Sequence, residues 1–150
     1  MDYAIELRTL ERTDTAAVRL TTTMPRIGAD IGQAFGEVMQ YLQANGIQPT
    51  GLAFARFHSM GEEIDMEAGF SVPGAITGAG RVRPGELPAG EAAVTLHAGP
   101  YDAIGPAYEA IEAWLAAHNR KAAGAPWEVY LTPPDVQPPR TEVVFPLLPA

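Results

Sequence analysis

At 150 residues, 47% of them hydrophobic, the chain has the length of one ordinary domain and enough apolar content for a buried core. Its net charge of −8, single lysine (Lys121) and lack of cysteine argue against direct nucleic-acid binding, which needs clustered cations, and exclude disulfides and thiolate metal sites. No apolar run approaches the ~20 residues of a membrane helix, and Met1-Asp2-Tyr3-Ala4 lacks a basic-then-apolar leader, so a cytoplasmic protein without a membrane partner is expected.

Ile5 to Leu10 reads as a first strand and Ala16 to Leu20 as a second, ended by Thr21-Thr22-Thr23 and Met24-Pro25. Ile27, Ile31, Ala34, Phe35, Val38, Tyr41 and Leu42 then fall on one helical stripe, with Asn45-Gly46 as a left-handed stop. Strands follow at Leu52 to Phe57 and Met66 to Val72, around a turn at Gly61. Gly74 to Gly90 is rich in Gly, Pro and small residues and reads as a connector, with at most a short extended piece near Arg81-Val82-Arg83. After it, Ala92 to Leu96 is a strand and His97 to Tyr101 a turn. Asp102 is a good N-cap, and Pro106 suits the first turn of a helix carrying Ile104, Ala107, Tyr108, Ile111, Trp114 and Leu115. Asn119 closes that helix. Trp127 to Leu131 is the next strand, and a Pro133-Pro134 and Pro138-Pro139 loop leads to a last strand, Thr141 to Phe145.

The pattern is a repeat. A gapless shift of 73 places Ile31 on Ile104, Phe35 on Tyr108, Val38 on Ile111, Tyr41 on Trp114, Phe57 on Tyr130 and Pro73 on Pro146. The predicted fold is therefore α+β: tandem strand–helix–strand–strand units in one domain over 1–150. The half-repeats span about 3–73 and 81–148, joined by a linker at about 74–90. Each half is too small to hold a core alone. A pseudo-twofold antiparallel arrangement with one helix per half and a central cleft follows as the expectation.

One residue breaks the repeat: the shift puts Ala55 opposite Glu128. In Trp127-Glu128-Val129-Tyr130-Leu131, alternation places Glu128 and Tyr130 on one face and Trp127, Val129 and Leu131 on the other, the latter being what a core wants. Two readings stay open. Glu128 lies on an exposed sheet face, the commoner fate of a glutamate, or it is the single carboxylate of an aromatic cleft suited to a flat, hydrophobic, positively charged ligand.

Glu128-Val129-Tyr130-Leu131 before a proline-bearing loop, Thr141-Glu142 leading to Phe145-Pro146, Leu87-Pro88-Ala89-Gly90, and His97-Ala98-Gly99-Pro100-Tyr101 before a helix resemble the GyrI-like (gyrase-inhibitor-like) family. This is also the effector-binding domain of bacterial MerR- and AraC-type transcription regulators. The resemblance covers Ile5 to Leu148. It implies a cleft that takes lipophilic, often cationic, compounds of multidrug type. By the same resemblance Glu128 touches the ligand, Tyr130 matches a family aromatic, and Phe57, Tyr108, Trp127 and Phe145 are candidates for the wall. Family regulators carry a helix-turn-helix ahead of this domain; the expectation here is a stand-alone ligand domain. No cofactor is implied.

Two further functions are consistent with the resemblance. Some stand-alone members are hydrolases that open strained cyclopropane rings; Glu128 would then handle a water while Tyr130 donates to the developing oxyanion. The family name also suggests a gyrase-binding partner, which no residue here encodes. Tyr41 and Trp114 fit the core, Tyr108 fits core or wall equally, and His97 fits a structural role in its turn. His58 and His118 lack partners at ligand spacing, so no metal is expected. Ser59 and Ser71 lack a nucleophile elbow, and Gly78-Ala79-Gly80 lacks a dinucleotide setting.

Overall fold

The computed structural model describes residues 3–100, 103–132 and 137–149. The expected cap Asp102 and the prolines at 133 and 134 lie outside them. The described residues form β1 (Glu6–Leu10), β2 (Thr13–Thr22), α1 (Ile27–Ala44), β3 (Ala53–Ser59), β4 (Ile64–Ser71), β5 (Val82–Leu87), β6 (Gly90–Ala98), α2 (Gly105–Ala117), β7 (Trp127–Tyr130) and β8 (Arg140–Pro146). The fold is α+β with antiparallel strand pairing throughout. Four strands separate α1 from α2, so the two helices form no helix-turn-helix.

The chain divides into two compact units: Met1–Glu11 with Ala89–Ala150, and Arg12–Pro88. In the second, the strand order is β5-β2-β4-β3; in the first it is β1-β6-β8-β7. The two orders are the same once β2, β3 and β4 are matched to β6, β7 and β8. The duplication read from sequence is thus present in the topology. Each unit is completed by the strand that precedes the other copy, since β5 pairs with β2 and β1 with β6.

β5 occupies the segment expected to be a linker. Pro84 and Gly85 lower strand propensity, but β5 lies at a sheet edge, where a missing N–H is tolerated. His97 lies inside β6, not in a turn, because β6 pairs with β8 as far as Ala98↔Arg140. The match of Pro73 to Pro146 is also not structural. Phe57 pairs with Met66, nine residues on, whereas Tyr130 pairs with Thr141, eleven on, so the second copy has two extra residues there. Pro146 belongs to β8 opposite Ala92, while Pro73 lies beyond β4.

Each helix forms where the apolar stripe predicts. Ala34, Val38 and Leu42 of α1 are fully buried against Ala16, Val18 and Ala68. Ala107 and Ile111 of α2 are buried against Ala93, Val143 and Phe145. Burying one Val, Leu or Ile contributes about 1.5–3 kcal/mol. Both helices stop alike. Gly46 (φ 64°) and Asn119 (φ 54°) take the left-handed conformation, and the next amides, of Ile47 and Arg120, donate to the carbonyls of Leu42 and Leu115, each at 2.9 Å. Tyr41 and Trp114 are half-buried against these cores, as expected of core aromatics.

Candidate functional site

β7 is short and pairs with β8, placing Glu128 opposite Val143 and Tyr130 opposite Thr141. Directly opposed residues share a face, and Val143 and Phe145 belong to the core under α2. Glu128 and Tyr130 therefore face the helix, and Trp127 and Val129 face away. Alternation holds, and the Trp127 face is core as its apolar residues suggested, with Trp127 and the opposed Val144 each 3% exposed; the face under α2 is the one that carries the polar pair. The cause is β8, whose Val143 and Phe145 supply the apolar floor for α2 and leave the β7 position to a polar group.

Glu128 is only 8% exposed, which removes the reading of a glutamate on an open sheet face. Its two oxygens have different donors. The Tyr108 hydroxyl, from α2, donates to Oε2 in a short hydrogen bond, and the Tyr130 hydroxyl donates to Oε1 at 3.0 Å. Tyr108 also packs edge-on against Phe145, with ring centroids 5.7 Å apart. Burial raises the pKa of Glu128, and the two phenol hydrogen bonds and the nearby His97 oppose that rise. Burial next to this carboxylate also pushes the Tyr108 phenol up, so it stays a donor across the physiological range. No Arg or Lys forms an ion pair with Glu128 among the described residues.

The same three positions in the other unit are apolar. Phe35, Ala55 and Phe57 correspond to Tyr108, Glu128 and Tyr130 under the 73-residue shift. Ala55 is fully buried, and Phe35 packs on the α1 core. The unit that carries the acid thus has tyrosines where the other has phenylalanines, and their hydroxyls satisfy the carboxylate. A lone Ala→Glu change would bury a charge with no donors, at a cost of several kcal/mol. The coordinated triplet is what makes the acid tolerable.

A polar row adjoins this triplet. Thr141 lies opposite Tyr130 on one side and His97 on the other. The His97 ring is 3% exposed, and its Nε2 lies 2.9 Å from the Pro100 carbonyl. A carbonyl only accepts, so Nε2 carries the proton. In the neutral ring Nδ1 then accepts from the Tyr3 hydroxyl, also at 2.9 Å. The structural role expected of His97 is what this geometry shows. Tyr3 went unrecognised in the sequence because its partner lies 94 residues away.

Of the residues singled out as site candidates, Tyr108, Glu128, Tyr130 and Phe145 come together. Trp127, 3% exposed, lies on the opposite face of β7, and Phe57, 8% exposed, belongs to the other unit. Among the described residues, no cluster of three His, Asp or Glu is placed to hold a metal ion, and no helix is long and apolar enough to cross a membrane. A surface hollow of about 350 Å³ in unit Arg12–Pro88, lined by Tyr41, Asn45, Ile47 and residues 73–77, contains none of the candidates.

The fold has solved counterparts. The EcmrR C-terminal domain superposes with a TM-score of 0.82 at 22% identity, covering 100% of both chains. EcmrR in its complex with DNA gives a TM-score of 0.87 at 21% identity, covering 99% of this chain and 58% of that one. This chain therefore spans a little over half of that chain's length. SAV2435 bound to tetraphenylphosphonium gives 0.68 at 13% identity, covering 99% and 94% of the two chains. A hydrolase from Listeria innocua gives 0.68 at 11%, covering 96% and 91%. At these identities the likeness is one of fold. A search of curated proteins finds no match. The sequence pattern of one family does match, over residues 3–148, and the chain belongs to it: the GyrI-like small-molecule-binding domains.

Proposed function

We propose that this domain binds lipophilic, cationic aromatic compounds beside α2, with Glu128 as the counter-charge and Tyr108, Tyr130 and Phe145 as aromatic contacts. One observation carries the reading: a nearly buried carboxylate held by two phenols and paired with no Arg or Lys among the described residues. Burial makes an ionised carboxylate costly, and a cation entering the same low-dielectric surroundings recovers Coulomb energy that water would screen. The partly exposed Tyr108 and Tyr130 rings offer π-faces to the same ligand. SAV2435, which shares the fold, was solved with a lipophilic cation bound. The cysteine-free composition fits a cytoplasmic setting.

The test is a fluorescence titration with a cationic aromatic dye, comparing wild type with Glu128→Gln, which keeps shape and removes charge. Binding should weaken about tenfold or more, roughly 1.4 kcal/mol. Equal affinity in the two proteins refutes the charge role.

A second reading, hydrolysis of strained rings, draws on the raised pKa of Glu128. A carboxylate whose pKa is raised is a stronger base toward the water it would activate. The Tyr130 hydroxyl, expected to serve an oxyanion, donates here to Glu128 and must change partners during such a reaction. Turnover that persists in Glu128→Gln excludes this mechanism.

A further inference from the structure

The first strand, β1, is an edge of the sheet in its unit. It pairs with β6 on one side, and no strand lies on the other among the described residues. Its sequence is Glu6-Leu7-Arg8-Thr9-Leu10, and Leu7 is 46% exposed. The corresponding edge strand of the other unit, β5, carries Pro84 near its middle, a residue that cannot donate to a ladder and that commonly blocks strand addition. β1 has no such block.

We propose that β1 is a homodimer interface, adding antiparallel to β1 of a second copy through a two-fold axis at Leu7. An axis normal to the sheet keeps the α2 helices of both copies on one face and pairs residues of equal parity. Three such registers overlap the strand well. Centring on Glu6 opposes two glutamates, and centring on Arg8 opposes two arginines; like charges directly opposite destabilise a pair. Centring on Leu7 sets Glu6 against the partner copy's arginine at position 8, twice over, with Leu7 against its own symmetry mate. The same register brings Ile5 opposite the second copy's threonine at position 9. This is the face that carries the α2 core, to which Ile5 already contributes.

Charged residues on an edge ordinarily prevent pairing. Their alternating sign here selects one register. Within one copy, Arg8 pairs with Glu6 at 3.1 Å and with Glu142 at 3.1 Å. With side chains 36% and 62% exposed, the Arg8–Glu6 pair rearranges at little cost. Five residues make a small interface of the transient class, so association depends on protein concentration and weakens with salt.

Sedimentation velocity over a wide concentration range tests this, with hydrogen exchange of the β1 amides alongside. Wild type should shift toward dimer as concentration rises, with β1 amides gaining protection. Glu6→Arg, which opposes two arginines, should stay monomeric, and Leu7→Lys likewise. Adding Arg8→Glu to Glu6→Arg restores opposite charges and should restore the dimer, with circular dichroism checking that each variant folds. If the double variant loses its fold because Glu142 faces a new glutamate, Leu7→Lys and the β1 exchange pattern decide. A monomer at every concentration overturns the proposal. So does a dimer that survives Glu6→Arg and Leu7→Lys unchanged.

Discussion

Tyr108→Phe isolates the central argument about the acid. The change restores the residue type that Phe35 provides in the other unit and removes one hydroxyl, leaving Glu128 Oε2 without that donor. A hydrogen bond to a charged group contributes about 1.5–3 kcal/mol net, and stranding a buried acceptor costs a similar amount. We expect Tyr108→Phe to lose about 1.5–3 kcal/mol when Glu128 is ionised, with Tm falling roughly 2–4 °C per kcal/mol. The sign with pH follows from the donor's preference for the charged acceptor. Losing it raises the pKa of Glu128 further. The destabilisation should therefore be largest at high pH, where the wild-type carboxylate is ionised, and shrink as pH falls and both proteins protonate. Urea unfolding followed by circular dichroism across pH measures both parts. A variant within error of wild type at all pH values, or one hurt more at low pH, would refute the view of Tyr108 as a donor that makes the buried acid tolerable.

Glu128→Gln should stabilise the protein at neutral pH. A carboxyl group whose folded pKa is raised contributes most below its unfolded value, near 4.5, and loses that contribution as pH rises through the folded value; the gain over wild type should thus vanish in acid and grow with pH in the same urea titrations. Gly69→Ala should cost at least about 3 kcal/mol, because a Cβ there would stand 2.0 Å from the Ala16 carbonyl oxygen across the β2–β4 pair. Thermal melting near wild type would show that the strands can separate to admit it.

The periodic features were legible in the chain: the two helical stripes, their left-handed stops, the duplication, and the alternation that separates Glu128 and Tyr130 from Trp127. These are local, with periods of 3.6 and 2 or a fixed repeat distance, so chain order carries them. The departure of Glu128 from the repeat was equally legible, because it needs only a comparison of two copies. Other features arise only from packing between elements. β5 was obscured because Pro84 and Gly85 signal a loop until a sheet edge accommodates them. Which face of β7 carries the helix depends on β8, whose Val143 and Phe145 form the floor under α2. That the Tyr108 hydroxyl reaches Glu128, and that Tyr3 meets His97, depend on how elements apart in sequence pack together. Non-local contacts of this kind leave no period in the chain, so alternation placed Tyr130 beside the acid, while the bond from Tyr108 needed the fold.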